Sequence, residues 1–255
     1  MSPAGAQPTD VQEARRLYNL GRYEAAIDAV APALADVGVR HSALVVLGRS
    51  KLERFRQTAD AADLSGAREA LREVDASRLD ARDRLELLVG LGEALYLDDL
   101  FMPAADLLET AVDDAPLLGA AARDQILDWW ATALDRQAQA RAPGERAAIY
   151  DRILNRMNEE LEREPGTGAA AYWVAVAARA KGEIDRAWDL ARAGWVRAQL
   201  TPDRGAALRP DLDRLVREAI IPERARRIHA AGGDVEQATA GMLAEWEGFV
   251  RKWTK

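Results

Sequence analysis

The sequence contains no cysteine, which excludes disulfides, thiolate metal sites and cysteine catalysis. Histidine occurs at two positions, His41 and His229, and each is interpreted as a solvated or capping side chain rather than a general base. Lysine is also scarce, with arginine supplying most of the positive charge beside abundant alanine, a composition typical of a GC-rich bacterial genome. These absences leave few side chains from which a catalytic or metal centre could be built.

Long hydrophobic runs are missing as well. No stretch of about eighteen apolar residues occurs, so the sequence predicts no membrane span. The N-terminal segment MSPAGAQPTD has neither a basic start nor an apolar core, so no signal peptide is predicted in the sequence as given. The compartment stays open between the cytoplasm and, if a signal peptide has been removed, the periplasm.

Positive charge is outnumbered by negative charge, and the formal net charge is -7. This balance argues against a nucleic-acid partner, because phosphate binding needs a basic face. The excess is concentrated at residues 56–115, where six arginines and no lysine stand against fifteen aspartates and glutamates, a balance of -9 (6 minus 15). The pattern indicates a solvated acidic face, with a site for a basic partner as the alternative.

Sequence motifs of common enzyme sites are absent too. None of the strings G-x-x-x-x-G-K-[ST], G-x-G-x-x-G, G-x-S-x-G or H-E-x-x-H occurs. Acidic pairs are plentiful, but acidic amphipathic helices bring carboxylates together without any catalytic role. We therefore predict that the protein is not an enzyme and that it has no catalytic residues, no cofactor and no metal site.

The clearest pattern that is present lies at residues 88–116, where apolar and small residues recur every three or four positions in two successive segments. This spacing is that of one face of a helix. Gly92 and Ala104, twelve positions apart (104 minus 92), are small enough to let two antiparallel helices approach closely, and Pro116 ends the segment. The pattern predicts a helical hairpin.

Copies of this pattern recur along the chain. The interval of twelve returns at residues 14–34 and 172–195, whereas residues 41–75 and 127–161 show looser copies with longer connections. Five alanines mark the hairpins, with periods of 41, 37, 44 and 39 by subtraction: Ala26, Ala67, Ala104, Ala148 and Ala187. The sequence after residue 205 departs from the pattern. We interpret it as a capping element, because the last repeat of a solenoid must cover the exposed face of its neighbour.

One set of positions in the central copy carries a family resemblance: Leu88, Leu91, Gly92, Leu95, Phe101, Ala104, Leu108, Ala111 and Pro116. This set resembles the tetratricopeptide repeat (TPR), with Leu88 replacing the family's tryptophan. The resemblance implies an all-α fold, a right-handed superhelical solenoid of about five antiparallel helix hairpins plus a C-terminal capping region. A HEAT-like solenoid, with a period of about 40 to 47 residues, is the alternative.

Three segments are predicted on this basis. Residues 1–8 form a disordered tail, residues 9–205 form TPR-like repeats, and residues 206–255 form a helical cap in the same continuous domain. The final helix carries Trp246, Phe249 and Trp253 on one stripe, and a homodimer through this helix is a further hypothesis.

In proteins that resemble this one, the first helices of successive hairpins line a concave groove that holds an extended peptide or a helix. The resemblance therefore implies a non-enzymatic scaffold or adaptor that binds another protein. Carried onto this chain, the groove is lined by Arg15, Tyr18, Asn19, Arg49, Glu53, Glu93, Tyr96, Tyr172, Trp173 and Arg179. Packing between hairpins is the alternative role for Trp173 and for the tyrosines.

The charges in this predicted groove are mixed. Arg15, Asn19 and Arg49 resemble the start of a clamp for an acidic C-terminal tail, but Glu53 and Glu93 stand where such a clamp needs positive charge. We therefore expect a peptide or helix with both apolar and basic groups. The alternative functions are a structural subunit of a bacterial cell-envelope or secretion assembly and, as a third, a small-molecule sensor or enzyme on a helical-repeat scaffold.

Overall fold

The computed structural model describes residues 8–254, in which all regular secondary structure is helical and no β-strand is present. The α-helices, numbered α1 to α13 in chain order, are Pro8–Asn19, Tyr23–Val30, Arg40–Thr58, Ala61–Arg72, Ala81–Leu97, Phe101–Asp114, Ala120–Gln139, Pro143–Arg163, Gly168–Ala180, Ile184–Arg197, Leu208–Leu215, Ile221–Ala230 and Val235–Trp253. The tail predicted at residues 1–8 lies outside the described residues except for Pro8, where α1 begins.

The chain divides into two compact units, Met1–Ala133 and Leu134–Lys255, with the division inside α7. In unit 1, α1 packs on α2, α3 on α4 and α5 on α6, and the first helices of neighbouring hairpins are also in contact, α1 with α3 and α3 with α5. The all-α fold of TPR-like hairpins predicted from the sequence is confirmed. The prediction that the cap and the repeats form one continuous domain stays a prediction.

Close approach within the hairpins of unit 1 depends on glycine. A Cβ atom added to Gly92 would lie 2.9 Å from Cγ of Leu108 and 3.5 Å from the carbonyl oxygen of Ala104. The equivalent Cβ on Gly48 would lie 2.6 Å from Cγ of Leu71. Since the approaches of 2.9 and 2.6 Å to leucine Cγ atoms are shorter than carbon atoms tolerate, a larger residue at either glycine would displace the leucine or push the two helices apart. The small pair identified in the sequence is thus a packing requirement.

Proline ends the second helix of two hairpins in the same way. After α2, residues Ala31–Ala35 form a 3-10 helix containing Pro32, and after α6, residues Ala115–Leu118 form another containing Pro116. Proline has no N–H with which to continue an α-helix, but it fits the first turn of a new helical segment.

Aspartate marks helix starts at Asp60 and Asp80, whose carboxylates accept hydrogen bonds from the N–H groups of Ala62 and Asp83.

In unit 2, α9 packs on both α8 and α10, and α13 packs on α12 and α10. A π-helical turn, Val216–Ile220, joins α11 to α12. The fully buried ring of Trp246 lies against Trp188 and Trp195, with centroids 5.9 and 5.4 Å away, and its indole N–H donates to Asp213 over 2.8 Å. Trp246 is therefore part of the unit's own core and is not available to a second subunit.

The repeat alanine predicted in α8 is wrong. Ala148, taken as the repeat alanine of the fourth hairpin, is exposed, whereas Tyr150, Ile153 and Met157 are buried. The later positions of the predicted stripe are buried, namely Ile153, Met157 and Leu161. The first buried position of α8 is Tyr150, whose hydroxyl donates a hydrogen bond to Asp135 over 2.7 Å. Alanine is so abundant in this chain that it cannot by itself distinguish the buried face of a helix.

Among the described residues, no helix is both long enough and apolar enough to cross a membrane.

Candidate functional site

Seven of the ten predicted groove residues lie on the first helices of unit 1. Helix α1 carries Arg15, Tyr18 and Asn19, helix α3 carries Arg49 and Glu53, and helix α5 carries Glu93 and Tyr96. The helical repeat spaces these residues along each helix, and the contacts of α1 with α3 and of α3 with α5 bring the three helices side by side. We call the surface that these helices form with α7 the first-helix face of unit 1.

At one end of this face, Arg15 of α1 reaches α5. Its guanidinium is paired with Asp83, and its Nε lies 3.7 Å from Oε2 of Glu86. Both carboxylates are almost completely buried, and burial is the largest influence that raises the pKa of Asp83. Arg15 therefore ties the first hairpin to the third rather than presenting a cation for an acidic ligand.

The middle of the face is held by Arg49 and Tyr18. The guanidinium of Arg49 lies 4.7 Å from the Tyr18 ring centroid and donates a hydrogen bond to its hydroxyl over 2.8 Å. Burial raises the pKa of Tyr18, against the influence of the Arg49 cation. Asn19 is exposed beside this pair and lines a cavity of only about 10 Å³. This part of the face is already filled by its own side chains.

Farther along the face, Glu93 is a buried carboxylate. Its side chain has 0% exposure, and its Oε1 lies 2.9 Å from Nε of Arg56, an arginine on α3. The two groups form an ion pair, but the N–H direction of Arg56 does not satisfy hydrogen-bond geometry, so neither oxygen of Glu93 accepts a hydrogen bond. Burial raises the pKa of Glu93 to about 7, an effect that Arg56 opposes, Glu53 reinforces and Arg49 opposes.

Glu93 lies at the wall of a second cavity of this face, whose volume is about 360 Å³. We call this cavity the Glu93 pocket, and its lining consists of Arg56, Glu93, Tyr96, Leu97, Leu108, Asp128, Trp129 and Thr132. Helix α3 supplies the arginine, α5 and α6 supply the aliphatic and tyrosine surfaces, and α7 supplies Asp128 and Trp129. The pocket therefore combines an apolar and aromatic wall with carboxylates.

Of the eight residues that line the Glu93 pocket, only Glu93 and Tyr96 were among the predicted groove residues, and the most informative of the six others are Trp129 and Arg56. Trp129 was not placed in the predicted groove, but it is only partly buried, and its ring lies 4.8 Å from the guanidinium carbon of Arg56. Arg56 was not singled out, although it follows the predicted Arg49 by seven residues (56 minus 49) on α3, two turns along the same face. That spacing was a signal that could have identified it.

The other three predicted residues belong to α9 in unit 2. Tyr172 and Trp173 pack edge to face, with centroids 5.7 Å apart, and Trp173 is 6% exposed. Arg179 donates to Oε1 of Glu223 on α12, with Nε at 2.9 Å. The packing role is therefore observed for Trp173, and Arg179 is engaged by a carboxylate of its own unit.

Comparison with known proteins supports the fold. No protein-family profile matches this sequence, and no curated protein matches it. Among solved structures, the chain is similar to one described as a kinesin light chain of Podosopora anserina with nearly identical TPR-like repeats. The TM-score is 0.51 at 16% identity, over 78% of this chain and 97% of that chain.

A likeness at this level of identity shows the fold alone. Together with the helix pairs and glycine contacts of unit 1, it defines the class of protein: this chain is an all-α helical-repeat protein with TPR-like hairpins. Repeat folds of this class commonly bind other proteins.

Proposed function

We propose that the protein is a non-enzymatic interaction scaffold or adaptor that binds a segment of a partner protein on the first-helix face of unit 1. The observation that carries the proposal is the Glu93 pocket, an open cavity of about 360 Å³ on the helices that resemble the groove helices of TPR proteins. A cavity of this size accommodates one or two side chains of a peptide or helix.

The pocket has the composition of a binding hot spot. Tyr96 and Trp129 supply aromatic surface, and Leu97 and Leu108 supply aliphatic surface beside them. Tryptophan, tyrosine and arginine are enriched among the hot spots of protein interfaces, and the aromatic side chains bury large areas with few rotatable bonds. The ion pair of Arg15 with Asp83 and the Arg49–Tyr18 contact connect the helices on either side, which supports a preformed surface.

The pocket suits binding better than catalysis. A raised carboxyl pKa, as at Glu93, is also a property of acid–base catalysts. Here, however, Arg56 forms an ion pair with the Glu93 carboxylate, and the adjoining walls of the pocket are aliphatic and aromatic. In the described part of the chain, no group of three or more histidine, aspartate or glutamate side chains could hold a metal ion.

Selection from an unbiased library of 12-residue peptides displayed on phage, with the full chain as target, tests this proposal. The affinity of each selected peptide is then measured by calorimetry for the native protein and for Trp129→Ala, with circular dichroism as a check of helicity. Removing the Trp129 ring should weaken binding by about tenfold or more, as loss of an interface hot spot does. Val37→Ala is the matched control, because Val37 is 73% exposed and does not line the pocket. Equal affinity for all three proteins contradicts the proposal.

A second candidate is a subunit of a larger assembly, such as one of the cell envelope or a secretion machine, joined through the end of α13. Trp253 is 44% exposed there and lies 6.3 Å, centroid to centroid, from Phe249. This pair is what remains of the predicted dimer stripe now that Trp246 is placed in the core. Sedimentation velocity at increasing concentration, with Trp253→Ala as the comparison, tests self-association. A monomer at every concentration contradicts the homodimer.

A further inference from the structure

The Glu93 pocket contains a cation site whose present occupant comes from the protein itself. The guanidinium of Arg56 lies over the Trp129 ring at 4.8 Å and beside the Glu93 carboxylate at 2.9 Å. An aromatic face together with a buried carboxylate is an environment that favours an alkylammonium or guanidinium group. Arg56 shows that a guanidinium fits between these two groups.

This internal ion pair is incomplete. A carboxylate removed from water is stable only when its oxygens are well hydrogen-bonded, and neither oxygen of Glu93 accepts a hydrogen bond. Arg56, in contrast, keeps 30% of its side chain exposed, so it can leave the carboxylate and remain solvated. A cation that aligned its N–H groups with both oxygens would satisfy Glu93 better than Arg56 does.

The charge around the pocket selects the sign of the ligand. Asp128 lines the same cavity, Glu53 influences Glu93 electrostatically, and the sequence from 56 to 115 carries a balance of -9 (6 minus 15). An acidic segment would be repelled, and a purely apolar side chain would shield Glu93 from water without supplying a donor. A side chain with an aliphatic stem and a cationic end satisfies both the walls and the carboxylate.

We propose that the Glu93 pocket binds a lysine or arginine side chain of the partner segment, whose aliphatic stem packs on Leu97 and Trp129 and whose cation replaces Arg56 at Glu93. This proposal rests on the proposed function and specifies the partner: a basic segment with apolar residues beside the inserted cation. The acidic balance of unit 1 then acts at longer range, because it attracts such a segment before contact.

Replacement of Arg56 separates this arrangement from one in which Arg56 itself recognises the ligand. Arg56→Ala removes the internal competitor, so a basic peptide should bind several-fold more tightly to this variant than to the native protein. If Arg56 instead contacts an acidic group of the partner, the same substitution weakens binding. Weakened binding would overturn the displacement proposed here.

The decisive experiment uses peptides selected by phage display from the unbiased 12-residue library. Each lysine or arginine in a selected peptide is replaced by norleucine, which keeps an aliphatic stem and removes the charge. Affinities are measured for the native protein, Glu93→Gln and a matched control, Glu69→Gln, which changes an exposed glutamate of α4. We expect one basic position whose replacement weakens binding at least about tenfold to the native protein and to Glu69→Gln, but only slightly to Glu93→Gln.

The outcomes separate the two proposals. Peptides that depend on Trp129 but contain no such basic position, or that tolerate norleucine equally in all three proteins, overturn the cation site and leave the scaffold function standing. If no selected peptide depends on Trp129, the proposed function fails, and the cation site fails with it. Circular dichroism and thermal unfolding of Glu93→Gln establish that the substituted protein is folded.

Discussion

The carboxylate of Glu93 is buried beside the guanidinium of Arg56, with 2.9 Å between Oε1 and Nε, and yet neither of its oxygens accepts a hydrogen bond. The two residues come from the first helices of adjacent hairpins, α5 and α3, so their contact depends on the repeat packing of unit 1. A carboxylate held in this way responds to pH, to its partner cation and to any ligand that enters the pocket.

Glu93 makes the stability of the folded protein depend on pH. Its pKa is about 7 in the folded protein, above the ordinary value of 4.5 that applies to the unfolded chain, so the folded form holds the proton more tightly. The resulting stabilisation is fully present below about pH 4.5 and is lost as the pH rises through about 7. In Glu93→Gln the free energy of unfolding should no longer fall with pH for this reason, and the difference from the native protein amounts to roughly 3 kcal/mol at most.

Urea unfolding from pH 5 to pH 8 measures this effect as the difference in free energy of unfolding between the native protein and Glu93→Gln. The difference should change in favour of the variant as the pH rises. Glu69→Gln, an exposed substitution on α4, controls for the loss of one negative charge. A difference that is independent of pH contradicts the assignment.

Arg56 lowers the pKa of Glu93 in the native protein, so its removal should raise that pKa above about 7. Carbon-detected NMR of the glutamate side-chain carboxyl carbons, with Glu93→Gln used for assignment, follows the titration directly. Several other charged or titratable groups interact electrostatically with the same carboxyl or line its pocket, and all of them are retained in Arg56→Ala: Tyr18, Tyr23, Arg49, Glu53, Tyr96 and Asp128.

Arg72→Ala is the control for this titration, since Arg72 is exposed on α4. It should leave the Glu93 titration unchanged. A Glu93 pKa that is the same in Arg56→Ala as in the native protein would show that the ion pair does not form in solution.

The glycine contacts predict opposite effects of alanine at two helical positions. Gly48→Ala places a Cβ 2.6 Å from Leu71, and the strain should destabilise the protein by about 1–3 kcal/mol despite the better helix propensity of alanine. Gly241→Ala, in α13, meets no atom within 4 Å and should stabilise by about 0.5–1 kcal/mol. Urea unfolding measures both, and the same sign of change at the two positions contradicts the packing described for α3 and α4.

The contact of Tyr18 with Arg49 predicts a coupling between these residues. Tyr18→Phe removes the acceptor of the Arg49 hydrogen bond and leaves a buried donor unsatisfied, which should cost about 1–3 kcal/mol. In an Arg49→Met background that donor no longer exists, so the same tyrosine substitution should cost less. A double-mutant cycle of unfolding free energies measures the coupling. A coupling of zero would mean that the hydrogen bond contributes nothing to stability.

The fold could be predicted from the sequence where its pattern depends on residue size. Gly92 and Ala104 are the small residues at the closest approach of two helices, and their spacing alone is enough to identify a hairpin. Pro116 likewise identifies the end of α6. Ala148 misled the prediction, because alanine is common on every face of the helices in this chain, and in α8 packing buries Tyr150 rather than Ala148.

The site was harder to predict than the fold. Seven predicted residues lie on the first-helix face, but sequence position does not show that Arg15 and Arg49 are already engaged by Asp83 and Tyr18. The predicted groove omitted Trp129, and its contact with the guanidinium of Arg56 is visible only in the structure. These side-chain contacts join different hairpins, so they depend on residues far apart in sequence and are not visible in a local sequence pattern.

The central claim is that a partner protein occupies the Glu93 pocket, and site-specific photocrosslinking in the cells that make the protein tests it most directly. A benzoylphenylalanine is placed at Leu97, in the wall of the pocket, or at Val37, which is exposed and outside it. The account predicts a discrete crosslinked product from position 97 that is absent from position 37, with the attachment site in a basic segment of the partner. The same products from both positions, or none from position 97, would contradict it.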